Sequence, residues 1–170
     1  MGSDAIDVAT VEPAVERDGR QIYELRRAVE DWLASQGIEQ WPVGEISSDD
    51  VQSQVAAGEW HVLRAGDDLA GAFRLQWSDE VIWQHENGFA AYVHSLMVNR
   101  GYAGRGVGAR LLRWAAVLGQ DGGAPELRLD CGEGSLRLRE YYAGQGFREV
   151  GRRDFEGDWY SVVLFSKSLI

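Results

Sequence analysis

A chain of 170 residues with 45% apolar side chains is long enough to bury a full core as one domain, expected to span 1–170. Its formal charge of −10 argues against a general nucleic-acid binder, which needs a basic face, and suits attraction of a cationic substrate. The single cysteine, Cys131, excludes an internal disulfide; with no leader pattern and no apolar run of membrane-spanning length, a cytoplasmic location without membrane contact is expected.

Residues 1–5 show no pattern and are set aside as disordered or appended. Ile6 to Val11 reads as a first strand. From Gln21 to Ser35, Ile22, Leu25, Val29, Trp32 and Leu33 fall at helical spacing, and Gly37 ends the helix. "QWPVGEI" is a loop. "SSDDVQSQVAAGEW" has a serine cap, early acids and a terminal glycine, the marks of a short second helix. "WHVLRAGDDLAGAFRLQW" is two extended runs around an Asp67-Asp68 turn, a hairpin by its chemistry. Residues 78–89 are a polar loop, and Ala90 to Val98 is the next strand. Val107 to Gly119 is a helix with Leu111, Ala115 and Leu118 on one face. "APELRLDC" is a strand, and Ser135 to Gln145 a helix stopped by Gly146. "FREVGRRDF" and "WYSVVLFSKSL" close the chain as two strands around Glu156-Gly157-Asp158. This order indicates one mixed α/β sheet with helices on both faces.

The stretch "NRGYAGRGVGARLLRWA" lies between a strand and a helix, with glycines at 101, 104, 106 and 108. Such a turn lets backbone N–H groups converge on an anion at a helix N-terminus, and a pyrophosphate is the natural guest. No Gly-Lys-Ser/Thr follows, which excludes a Walker loop. Gly104, Gly106 and Ala109 also fit a dinucleotide motif, with Asp130 ending the next strand where a ribose-binding acid would lie. Against that, Asn99 to Ala103 intervene after the strand, and too little chain follows for a doubly wound domain. From the loop alone, a dinucleotide site and a turn that binds nothing both stay open.

A second stretch, "LRLDCGEGSLRLREYYAGQGFREVG", runs strand, turn, helix, glycine, aromatic, strand. Together with "YVHSLMVNRGYAGRGVG" it resembles the GNAT superfamily of acyl-CoA N-acyltransferases, most strongly from Tyr92 to Gly151. The resemblance implies a mostly antiparallel sheet of about seven strands with about four helices, splayed into a V between two parallel strands. It makes Ala103 to Gly108 the family's Gln/Arg-x-x-Gly-x-Gly/Ala signature, with Ala103 replacing the usual Gln or Arg. It further implies that Gly104, Arg105, Gly106, Val107, Gly108 and Ala109 wrap the pyrophosphate of acetyl-CoA. Leu96, Met97 and Val98 would pair with the pantetheine arm, and a backbone N–H near Met97 or Val98 would polarise the thioester carbonyl. Ser135 stands where relatives carry an Asn that touches pantetheine. Tyr142, in Tyr-x-x-x-Gly-Phe, would be the general acid for the leaving thiolate. Many relatives form homodimers, so a homodimer is left open.

The base has no such signature. An alkyl amine with a pKa of about 10 must lose a proton before attack, at a cost of about 4 kcal/mol at neutral pH. His94, on the strand that would carry the thioester, and Glu86, in the polar loop, are the candidates; Asp79 and Glu80 rank behind them. Strand alternation groups His94 with Tyr92 and Leu96 unless a bulge intervenes. Tyr141 points about 100° from Tyr142 and is expected to pack. His61 and Cys131 are expected to be structural. The three histidines and one cysteine show no metal-ligand spacing, so no metal is expected. Trp32, Trp41, Trp77 and Trp83 are candidates to line an acceptor pocket. Arg105 and Arg110 are placed to reach cofactor phosphates, and Arg113 reads as a solvated helix-face charge. The expected activity is acetyl transfer from acetyl-CoA to a primary amine of a small cationic molecule, by direct attack in a ternary complex. The alternatives are a protein N-terminal or lysine acetyltransferase and a non-catalytic acyl-CoA-binding module.

Overall fold

A computed structural model of the chain describes residues 3–7, 9–84 and 88–170. Seven strands form one sheet: β1 (Val11–Pro13), β2 (Trp60–Ala65), β3 (Asp68–Gln76), β4 (Ala91–Val98), β5 (Glu126–Gly132), β6 (Arg148–Arg153) and β7 (Val162–Ser168). Their spatial order is β1-β2-β3-β4-β5-β7-β6. Every neighbouring pair is antiparallel except β4–β5. The helices are α1 (Ser3–Asp7), α2 (Asp18–Ser35), α3 (Ser48–Ala56), α4 (Val107–Asp121) and α5 (Leu136–Gly144).

The apolar periodicity fixes which face each helix covers. Ile22, Leu25, Val29 and Leu33 of α2 join Val51 and Val55 of α3 over β2 and β3. Ser47 and Asp50 close a reciprocal capping box at the start of α3. On the opposite face, Val107, Leu111, Leu112 and Ala115 of α4 pack with Tyr142 of α5, Phe147 and Phe165. Gly66, at φ +65°, begins the two-residue turn between β2 and β3, so the hairpin turns at Gly66-Asp67, one position before the expected Asp67-Asp68.

The N-terminus departs from expectation. The strand expected over Ile6–Val11 is a short helix, α1, followed by β1 at Val11–Pro13. Ile6 reaches the core from that helix, so its apolar character reflects burial and carries no strand periodicity. The helix takes in residues 3–5, which show no pattern in the sequence, and is additional to the four expected. Arg110 of α4 holds this segment by donating to the carbonyls of Ile6 and Ala9.

Two irregularities in β4 shape the middle of the sheet. Its parallel pairing with β5 covers only Ala91↔Leu127 and Tyr92↔Arg128, so the strands part beyond Tyr92 and a V opens between them. Ala72 pairs with Met97 and Arg74 with His94, which leaves one extra residue on β4 and makes a bulge. Ser95 takes up that residue at φ +52°. Its hydroxyl accepts from Arg26 Nη1 at 2.9 Å.

Gly71 of β3 sets how closely α4 sits on the sheet. A Cβ there would lie 2.7 Å from the Met97 carbonyl oxygen, 2.8 Å from Leu111 and 2.9 Å from Val107. Because one of these neighbours is backbone, Gly71→Ala is expected to cost about 1–3 kcal/mol and lower the melting temperature by roughly 5 °C. Gly144→Ala, where a methyl meets open space on a helix, should leave it unchanged or slightly higher. Thermal melts of the two variants beside wild type check this.

Candidate active site

The glycine loop and the start of α4 line one cavity, of about 310 Å³. After β4 the chain makes a single 3-10 turn, Arg100–Tyr102, then passes Gly104 at φ +77° and Gly106 at φ +74°. Both glycines occupy the left-handed region that a side chain would strain. Gly106 caps α4 with no side-chain hydrogen bond, and the first turn of the helix contains no acid. The leading N–H groups of a 15-residue helix therefore keep their partial positive charge for an external anion. Across the cavity, the β4 edge beyond Tyr92 has no pairing with β5, so its backbone groups can bind an extended ligand arm. A Cβ at Gly108 would lie 2.6 Å from the Tyr141 hydroxyl, so the glycine lets that ring lie against the start of α4. The residues present fit a long pyrophosphate-bearing cofactor.

A second cavity, of about 350 Å³, lies on the α2 side of the same V. Trp41, Trp159 and Tyr160 give it an aromatic wall, and His94, Asp79 and Asp130 a polar one. Leu96 and Tyr142 line both cavities, so the two meet at those side chains. Burial pushes the Tyr142 phenol far above its ordinary pKa, with nearby Cys131 and Asp130 adding to the rise. The hydroxyl thus stays protonated and can donate across the working pH range.

The bulge decides what faces this second cavity. Without it, alternation would keep His94 and Leu96 on one face and send Ser95 to the other. With it, His94 and Ser95 both face the α2 side, while Leu96 packs against the α4 core. His94 Nε2 lies 3.2 Å from Asp79 Oδ2, which is otherwise buried without a partner. Asp79 Oδ1 accepts the Ile82 amide at 2.9 Å. Burial alone would raise the Asp79 carboxyl, but hydrogen bonds from His94 and from the Ile82 and Val81 amides hold it below the ordinary range. Asp130, on β5 across the V, completes the group: one ligand atom from each of Asp79, His94 and Asp130 lies within 4.8 Å of the others. Burial pushes Asp130 up to about 6; His94 draws it down and the Asp79 charge adds to the rise. An imidazole facing two carboxylates is well placed to accept a proton and to be stabilised once charged.

Behind this wall a buried ion network fixes the strand. Arg26 meets Glu30 at 2.8 Å and Glu45 at 2.9 Å, and its guanidinium lies 4.1 Å from the Trp41 ring centroid. Glu30 also accepts from Arg27 and from the Gly44 amide. Glu30 is fully buried, and its two oxygens take up these donors, so the charge is compensated where it stands.

The other expected site residues divide as follows. Leu96, Met97, Val98, Gly104, Gly106, Val107 and Gly108 line the glycine-loop cavity, whereas Arg105 and Ala109 stand outside its lining. Arg105 faces the Tyr102 ring at 5.6 Å. Ser135 precedes α5 without capping it and lines neither cavity. Arg110, expected near cofactor phosphates, donates to the N-terminal carbonyls, a correction that follows from its side of α4. Arg113 is exposed, as expected. Trp32 and Trp41 line the glycine-loop cavity, but Trp77 stacks on Phe89 and Trp83 is buried against Tyr92 and Arg128. Tyr141 does more than pack, since it lines the glycine-loop cavity beside Gly108. His61 is buried and stacked on Phe73; burial holds its pKa down, as suits a structural group. Cys131 is buried with its thiol pushed up to about 12, so it is no nucleophile at neutral pH. Glu80 is exposed, and Glu86 lies outside the described residues. Sequence reasoning does not find the His94–Asp79–Asp130 group, since the three residues come from β4, a loop and β5. Trp159 escapes it as well.

The fold and this paired-cavity site define a class, and the comparisons agree with it. Residues 25–147 match the family model described as the acetyltransferase (GNAT) family. The chain is 31% identical over 168 residues to the uncharacterized N-acetyltransferase YesJ of Bacillus subtilis, covering 92% of this chain and 88% of YesJ. It shares its fold with a GNAT-family acetyltransferase from Listeria monocytogenes (TM-score 0.76, 24% identity, 94% of each chain). It also shares it with yncA of Salmonella typhimurium, solved with acetyl-CoA (TM-score 0.72, 14% identity, 95% of this chain and 94% of that one). The chain belongs to the GNAT acetyltransferase family, and it is an acetyl-CoA-dependent N-acetyltransferase. Among the described residues no helix is long and apolar enough to cross a membrane.

Asp130 also affects stability. A carboxyl at about 6 in the fold and about 3.9 when unfolded disfavours the native state above pH 6, by up to roughly 3 kcal/mol. The penalty fades as pH falls through 6 and is gone below the unfolded value. Asp130→Asn should therefore raise the melting temperature at pH 7.5 and leave it unchanged near pH 3.5, as thermal melts at the two pH values would show.

Proposed function

We propose that the enzyme acetylates the primary amine of a small cationic molecule, by direct attack in a ternary complex. One observation carries this reading: Tyr142 stands where two cavities meet, one built for an anionic cofactor and one lined by an acid–imidazole group. Acetyl-CoA, as a thioester, supplies the activated acyl group. The α4 N-terminus with Gly104, Gly106, Val107 and Gly108 holds its pyrophosphate, and Leu96 to Val98 offer backbone groups to its pantetheine arm. Arg105, Ala109 and Ser135 belong to the same proposed surface by family resemblance.

His94 takes the proton of the incoming ammonium. A neutral imidazole that donates Nε2–H to Asp79 keeps Nδ1 as its acceptor, and the two carboxylates stabilise the imidazolium that forms. A backbone N–H of Met97 or Val98 polarises the acyl carbonyl. Tyr142 donates to the leaving sulfur and takes back the second proton shed by the acylated nitrogen, so the phenol is restored as the thiol forms. With these roles assigned within the described residues, Glu86 is not needed as the base.

Titration calorimetry with acetyl-CoA, followed by thiol release across a panel of small amines and peptides, tests the reading. Tyr142→Phe is expected to bind acetyl-CoA as wild type does and to lose roughly 10²-fold in kcat. His94→Gln should lose a similar factor, and less as pH rises toward the amine's own pKa. Unchanged kcat in Tyr142→Phe would remove it as the acid. Release with peptides alone would move the acceptor to polypeptide amines, and binding without release on any amine would leave a cofactor-binding module.

A further inference from the structure

The charges lining the aromatic pocket are unequally compensated. Its two arginines are already neutralised: Arg26 by Glu30 and Glu45, and Arg74 by Glu59 at 2.6 Å. Glu45 is consumed in the same exchange, since its carboxylate contacts Arg26 at 2.9 Å. Asp79 is turned toward His94 and held by the Ile82 amide. Asp130 differs from all of these. Among the described residues no donor hydrogen-bonds its half-buried carboxylate, which lines the cavity. A half-buried carboxylate in a cavity wall with no hydrogen-bond donor of its own is a receptor for a cation. The opposite wall offers Trp41, Trp159 and Tyr160, with Trp159 and Tyr160 stacked at 5.8 Å. Asp79 and Asp130 converge on one point beside His94, and the remaining acid of the lining, Glu45, already meets Arg26.

We propose that Asp130 is the specificity-determining carboxylate of the acceptor pocket, receiving the ammonium of a singly charged primary amine whose compact apolar or aromatic body lies against Trp41, Trp159 and Tyr160. This rests on the acetyl-transfer reading and narrows it, placing polyamines and aminoglycoside-like compounds outside the preferred class. Once the ammonium is seated on Asp130, its proton passes to His94 while the electron pair stays on the amine nitrogen. Asp130 positions the amine and reads its charge. It takes on no covalent bond.

Binding of simple amines to the CoA-saturated protein tests this. The probes are 2-phenylethylammonium, its neutral analogue 2-phenylethanol, and the dication butane-1,4-diammonium. Dissociation constants are read at pH 7.5 from the saturable shift of the His94 ring resonance, assigned with His94→Gln. The monocation should bind at least tenfold more tightly than the alcohol, and more tightly than the dication. Asp130→Asn should weaken the monocation at least tenfold with the alcohol and CoA unaffected, and Asp130→Glu should recover part of the loss. Equal binding of alcohol and ammonium, no response to the ammonium, or an Asp130→Asn protein that binds it as well as wild type would overturn the role of Asp130. Tighter binding of the dication would overturn the single-charge assignment. CoA affinity is measured separately, and its failure would overturn the acetyl-transfer reading itself.

Discussion

The working geometry depends on one backbone irregularity, the bulge in β4 at Ser95. A regular strand would put His94 and Ser95 on opposite faces and would keep the alternation of Tyr92 through Val98 unbroken. The extra residue follows His94, which shares Tyr92's face either way; it keeps Ser95 on the α2 side and turns Leu96 to the α4 side. A left-handed serine is strained, and the strain persists because Arg26 holds the Ser95 hydroxyl. Arg26 is in turn fixed by two carboxylates and a tryptophan. The buried charges of α2 therefore serve the active site as well as the fold.

The same irregularity separates what is legible in the chain from what is not. The glycine loop, the helix after it and Tyr142 are legible because each is a local pattern: a strand, a left-handed turn and an amphipathic helix within a short span. The hairpins and α3 are legible for the same reason. His94 stands out in the sequence and alternation groups it with Tyr92, but Ser95 and Leu96 change faces at a bulge whose position leaves no mark there. Asp130 draws notice only as a ribose-binding candidate for a fold this chain does not have. Its partners lie across the V, and their convergence is a tertiary fact. Arg26 and Glu30 look like solvated charges on an amphipathic helix, yet both are buried. The available signal is their spacing, which suits a pair one helical turn apart. Ile6 misleads because a single buried aliphatic near a terminus carries no period.

The splay of β4 from β5 leaves strand edge unpaired beside the glycine-loop cavity and opens the second cavity on the α2 side. Tyr142 reaches that gap from α5, where its ring packs on Phe147 and Phe165. Two aromatic neighbours anchor the phenol, and among the described residues no hydrogen-bonding partner competes for its proton.

The bare N-terminus of α4 has a kinetic consequence. Acetyl-CoA is a polyanion, and it must approach a chain whose formal charge is −10. Within about the screening length of its surface, about 8 Å in physiological salt, the net negative chain repels it. Only close to the loop does the field reverse, where the helix amides and Arg100, stacked over Trp32 at 3.9 Å, present positive charge. Added salt weakens that repulsion more than the short-range capture, so it speeds arrival of the cofactor.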